Sequence, residues 1–143
     1  VSFSATGACL LSGTTPTIAG LGSCSVTASQ AGDASFEPAP NVTRAFTIVK
    51  GDQTISFVPP PNKRYGDPPF PLSASASSGL PVSFSATGVC TIANGVVSLT
   101  GSGSCTITAG QVGSIFFTPA PPVVRTFLVV RSFDLYLPML ASL

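Results

Sequence analysis

The residues best placed to do chemistry are four cysteines, which fall as two pairs with the same internal spacing, Cys9 with Cys24 and Cys90 with Cys105. Thiols at a recurring separation favour one disulfide per repeated unit over free thiols. A zinc site would need four clustered ligands, and the chain has no histidine and no Cys-x-x-Cys. Closing a loop of this size stabilises by about 3 kcal/mol in the chain-entropy model. Bonded pairs imply an oxidising compartment, extracellular or at the cell surface.

The lack of histidine also removes the base of the usual Ser-His-Asp and Cys-His arrangements. Five acidic residues remain, Asp33, Glu37, Asp52, Asp67 and Asp134, and none are spaced as in a calcium loop. A glycosidase pair is a matter for the fold, since only the fold could bring two of them together. We therefore expect no catalytic, cofactor-binding or metal-binding residues, and no enzyme activity.

Four other positions invite a binding or modification reading. Arg44 and Arg125 each precede a phenylalanine by two positions, Phe46 and Phe127. A structural role competes, in which the aliphatic stem covers a sheet edge and the guanidinium stays in water. Tyr65, in a Gly/Pro-rich bend, could stack on a sugar ring or plug the end of the core and bond a backbone carbonyl. Asn41-Val42-Thr43 is an N-glycosylation sequon, read here as lying in an exposed proline-rich bend.

What must position these residues is a repeat. Val1 to Lys50 matches Val82 to Arg131 without a gap at an offset of 81, starting with the shared heptapeptide Val-Ser-Phe-Ser-Ala-Thr-Gly. Gly22-Ser23-Cys24, Gln30, Phe36 and Pro38-Ala39-Pro40 also recur, as Gly103-Ser104-Cys105, Gln111, Phe117 and Pro119-Ala120-Pro121. One structural module is used twice. The division is a partial unit over 1–50, a complete unit over 51–131 and a tail over 132–143. Two strands with their loops, the equivalents of Gly51 to Pro81, have no counterpart before Val1. A chain that begins inside a repeat is expected to be a processed product or a piece of something longer.

Charged residues make up 8% of the chain, against about 25% in typical domains, and the mean hydropathy is +0.51. A net charge of +1 with scattered basic residues provides no field for nucleic acid or anionic lipid. Apolar runs are short, and Arg131, Asp134 and Pro138 interrupt the most apolar of them, so no membrane span is expected.

Strand signals dominate. Short Val/Ile/Thr/Phe runs alternate in polarity between Gly, Pro and Asn turns, giving about seven strands per complete unit and an immunoglobulin-type β-sandwich. Gln53 to Val58, Pro71 to Ser77, Val82 to Ala86 and Val123 to Val130 read as strands. Asn94-Gly95 reads as a type I′ hairpin, and Arg44 to Val58 as a nearly continuous extended junction, implying stiff end-to-end modules.

The phrases Asp52-Gln53-Thr54-Ile55-Ser56-Phe57, Tyr65-Gly66-Asp67-Pro68-Pro69-Phe70, Ser77-Ser78-Gly79-Leu80-Pro81-Val82-Ser83-Phe84 and Gly103-Ser104-Cys105-Thr106-Ile107-Thr108-Ala109 occur in this order. They resemble the tandem immunoglobulin-like repeats, MBG-type included, of large bacterial secreted and surface proteins. The resemblance covers Val1 to about Arg131. It implies tandem sandwiches in a stalk, adhesin or cell-surface polymer, and no catalytic residues.

The tail completes the expected function. Phe133, Leu135, Leu137 and Met139 alternate with Asp134, Tyr136 and Pro138, a strand-like pattern at the place where a third unit would begin. Lent to the incomplete first unit of the next molecule, such a strand would build a filament head to tail, with the chain as its own partner. At the offset of 81, however, Tyr136 and Pro138 stand opposite Ile55 and Phe57, so the apolar faces match only after a one-residue slip. The competing readings are a tail folded back on its own second unit, and a stalk or carbohydrate-binding module that meets cell-surface glycans through the Tyr65 loop or the Pro119 to Pro122 bend.

Overall fold

A computed structural model describes residues 1–131. It is all-β, and it divides into a first unit, Val1–Gly51, and a second from Asp52 onward.

The second unit shows the module with its cover in place. Its strands are β6 (Ile55–Phe57), β7 (Lys63–Arg64), β8 (Phe70–Pro71), β9 (Ala74–Ala76), β10 (Ser83–Gly88), β11 (Cys90–Ala93), β12 (Val96–Leu99), β13 (Gly103–Gln111) and β14 (Ala120–Val130). They form a four-stranded sheet, β10-β13-β14-β7, a three-stranded sheet, β11-β12-β8, and the pair β6-β9. Alternate residues of β13 and β14 face one core, where Ile107, Ala109, Phe127 and Val129 meet Phe57, Val97 and the two cysteines.

The shared heptapeptide explains itself at its last residue. Gly88 has φ +92°, and a Cβ added there would lie 2.1 Å from the Ser104 carbonyl oxygen. Val89 N–H donates to that same carbonyl as the chain turns out of β10 and into β11, in another sheet. Gly7 repeats the geometry, with φ +92° and 2.2 Å to the Ser23 carbonyl oxygen. Only glycine fits such a corner.

In the first unit, β1 (Ser2–Gly7), β4 (Gly22–Gln30) and β5 (Ala39–Ile48) form a sheet, and β2 (Cys9–Ser12) pairs with β3 (Thr15–Ile18). Register is conserved between the units: Phe3 faces Ala28 as Phe84 faces Ala109, and Cys24 faces Phe46 as Cys105 faces Phe127. Both β4/β5 and β13/β14 carry an irregularity at the same place, Ala28/Gln30 and Ala109/Gln111.

Several expectations need correction. Gly51 to Pro81 holds four short strands, β6 to β9, because proline at 59–61 and 68–69 interrupts the ladders. Among the described residues the second unit thus has nine strands where about seven were expected. The run Pro71 to Ser77 splits into β8 and β9. The junction is not continuous strand either: β5 ends at Ile48 and β6 begins at Ile55. The Asn94-Gly95 hairpin has φ 50° and 74°, the two positive values of a type I′ turn.

Candidate functional site

In the second unit, β6 to β9 cover the inner face of β13 and β14. Gln53 is only 3% exposed, and its Nε2 donates to the Thr118 carbonyl at 2.7 Å and to Gln111 Oε1 at 3.3 Å. Its Oε1 accepts from Ser78 Oγ, while Gln111 Nε2 donates to the Pro81 carbonyl at 2.9 Å. Buried carboxamides are thereby satisfied, which is the condition for burying them at all. Among the described residues no buried side-chain polar atom is left without a partner.

Aromatic rings and the edge of β14 complete the closure. Phe57 packs at 5.5 Å, centroid to centroid, on Phe84, and Phe70 meets Phe127 edge-on at 5.9 Å. Lys63 Nζ sits 4.5 Å from the Phe70 ring centroid. At the outer edge of β14, Leu128 N–H donates to Asn62 Oδ1 at 2.9 Å, and β7 pairs in parallel with Val129 and Val130.

The first unit carries the same inner face open. Phe127 is 2% exposed, whereas its counterpart Phe46 is 47% exposed. Phe3, the counterpart of Phe84, is 46% exposed, and Gln30, the counterpart of Gln111, lies at the surface. An apolar groove of about 180 Å³ runs over this face, lined by Val1, Ala28, Gln30, Ala39, Pro40 and Val42. The equivalents Ala109 and Ala120 are buried in the second unit. No residue between Val1 and Lys50 corresponds to Gln53, Phe57 or Phe70.

Cys9 is bonded to Cys24 and Cys90 to Cys105, with Cα separations of 5.4 and 5.6 Å. Each bond links strands of different sheets, β2 to β4 and β11 to β13. Arg125 is half-buried, and its Nε donates to the Phe57 carbonyl at 3.2 Å, so the expectation of a head group left in water is corrected. Arg44 is exposed.

Tyr65 does not plug the core: it is 52% exposed, because its backbone N–H is fixed on the Val130 carbonyl at the far end of β14. Pro121 and Pro122 lie at the opposite end of that strand, which at about 3.3 Å per residue separates the two suggested glycan loops by roughly 30 Å. They cannot form one site. Asn41 is exposed as expected but lies inside β5, beside the ladder irregularity, and not in a bend.

Three of the four described carboxylates, those of Asp33, Asp52 and Asp67, accept hydrogen bonds within their own unit. Asp33 Oδ1 accepts from the Ser35 and Phe36 N–H groups, Asp67 Oδ2 from Arg64 N–H, and Asp52 Oδ1 from Thr118 Oγ. Among the described residues no cluster of three or more Cys, Asp or Glu could hold a metal ion. No helix there is long and apolar enough to cross a membrane. Asp134 and the tail residues Phe133, Leu135, Tyr136, Leu137 and Met139 lie outside the described residues.

No protein-family model and no curated protein sequence matches this chain. Its functional reading therefore rests on the contrast between the two copies. Sequence reasoning marked Gln30 and Gln111 as landmarks of the repeat but assigned them no role. The available signal was a carboxamide kept at the end of an otherwise small-residue strand.

Proposed function

We propose that the chain is a structural subunit of an extracellular filament or surface appendage, built from immunoglobulin-like sandwiches of the bacterial repeat type. Subunits join when a strand-forming segment of one molecule closes the first unit of the next. The observation that carries this reading is the contrast between Phe46 and Phe127, one residue type at one ladder position, exposed in one unit and buried in the other. An exposed apolar face beside β5, which ends its sheet among the described residues, is a template for another chain. Two disulfides support an oxidising location. The hydrogen bonds that occupy Asp33, Asp52 and Asp67, and the lack of histidine, support a non-enzymatic role.

The test is the assembly state of the full chain, by light scattering and electron microscopy, beside Val42→Asp and a deletion of Phe133 to Leu143. Linear particles lost in Val42→Asp support assembly through the open face, and their loss on deletion assigns the tail as donor. Monomers at every concentration refute self-assembly.

A second reading, adhesion to glycans, is favoured by one observation: Tyr65 stands exposed on a turn that Asp67 holds in shape through Arg64. Saturable binding on a glycan array that is lost in Tyr65→Ala would select it.

A further inference from the structure

We infer that Asn94 is a site of spontaneous covalent modification, an asparagine whose deamidation to isoaspartate loosens the sheet β11-β12-β8 of the second unit. The reaction needs no enzyme, and its co-reactant is water.

The chemistry asks for a carboxamide followed by a backbone nitrogen that is free and unshielded. Asn94 is exposed, and among the described residues neither its carboxamide nor the Gly95 N–H makes a hydrogen bond. A Cβ built on Gly95 would meet nothing within 4 Å, so the space beside that nitrogen is open. Glycine itself leaves it so, since it has no side chain to crowd the approach.

The other asparagines of the chain each lack a condition. Asn41 is followed by Val42, whose branched side chain shields the nitrogen, and both lie within β5. Asn62 is followed by Lys63 in β7, and its Oδ1 is held by the Leu128 N–H at 2.9 Å. In the first unit Gly13 and Thr14 stand at the places of Asn94 and Gly95, so its β2-β3 hairpin has nothing to convert.

The step balances. The Gly95 nitrogen gives its proton to hydroxide and attacks Asn94 Cγ; the N–Cγ bond forms, the Cγ–Nδ2 bond breaks, and Nδ2 takes a proton from water and leaves as ammonia. Proximity within one dipeptide stands in for a catalyst. Water then opens the resulting succinimide at either carbonyl. Opening at Cγ leaves aspartate on an unchanged backbone. Opening at the Asn94 backbone carbonyl leaves isoaspartate, with a methylene added to the main chain and the α-carboxylate as a side group.

The hairpin tolerates these products unequally. Asn94 and Gly95 have φ 50° and 74°, and aspartate accepts the left-handed region as asparagine does, so the turn survives with an added charge. Isoaspartate lengthens the link, and loop length sets hairpin register, so the pair Ala93 and Val96 is displaced. The change then reaches β8. Leu72 N–H donates to the Gly95 carbonyl at 2.9 Å, and Phe70 is paired with Val97, a buried core residue.

The experiment ages the full chain in warm, mildly alkaline buffer and maps its peptides by mass spectrometry, with isoaspartate counted by isoaspartyl methyltransferase. The expected result is acid at position 94 and intact asparagine at 41 and 62. In the separated isoaspartate form the Leu72 amide should exchange with solvent about tenfold faster or more. Fresh Asn94→Asp should exchange like fresh wild type, and Asn94→Gly, which keeps the turn without a carboxamide, should not change on ageing. Intact Asn94 at a time when a peptide of Ile92 to Val97 has fully converted overturns the inference, as does equal conversion at Asn41 or Asn62. Unchanged Leu72 exchange in the isoaspartate form, or equally fast exchange in Asn94→Asp, overturns the loosening.

Discussion

Arg125 donates from Nε to the carbonyl of Phe57 at 3.2 Å, tying the longest strand of the second unit to the first strand that covers it. The residue is half-buried, and the bond is charge-assisted on the donor side. Arg125→Leu should therefore destabilise the second unit by about 1–2 kcal/mol. Arg44→Leu should change the first by less than about 0.5 kcal/mol, as exposed substitutions usually do. Urea unfolding followed through NMR signals of each unit checks both.

The paired phenylalanines should respond with the same asymmetry. Phe127→Ala removes a buried ring and should cost about 3–5 kcal/mol. Phe46→Ala, at a half-exposed ring, should cost about 1 kcal/mol or less. Equal effects in the full chain would show that the first unit is already closed in solution.

Gln53 and Gln111 act as one network, so their replacements should not add. Each single change to leucine strands hydrogen-bonding groups in the core and should cost about 1–3 kcal/mol. A double-mutant cycle should give a coupling of at least about 0.5 kcal/mol.

Gly88→Ala should be among the most damaging single-methyl changes in the chain, since its Cβ would meet the Ser104 carbonyl at 2.1 Å. Gly95→Ala adds a methyl into open space at φ +74° and should cost only about 1 kcal/mol. Thermal unfolding of the two variants side by side measures the difference.

Alkylation of the native protein without reductant should label none of the four cysteines, and after reduction under denaturing conditions all of them. Mass spectrometry reads the count directly.

How far the fold was legible follows from range. Alternation and turn chemistry mark strands such as β10 to β14, because side-chain parity and Asn-Gly geometry are properties of a few consecutive residues. The short strands β7 and β8 leave no such local trace: they exist only through distant partners, β7 on Val129 and Val130, β8 on Val96 and Val97. The cysteine pairs were readable because the repeat doubled the signal. The site was legible as an absence, the unmatched Gly51 to Pro81, but its content was not. That Gln53 reaches Gln111 across 58 positions is a fact of packing with no local trace.

Each disulfide closes a loop of sequence separation 15 wholly inside the half that both units share. For a module under tension this sets a length. A unit pulled open while its bond is intact withholds those residues, about 50 Å of contour at roughly 3.5 Å per residue. The strands that cover the second unit lie outside the loop and can peel away without meeting the bond. Oxidised material should thus yield in shorter steps than reduced material, so that the redox state of the surroundings governs how far each module can stretch.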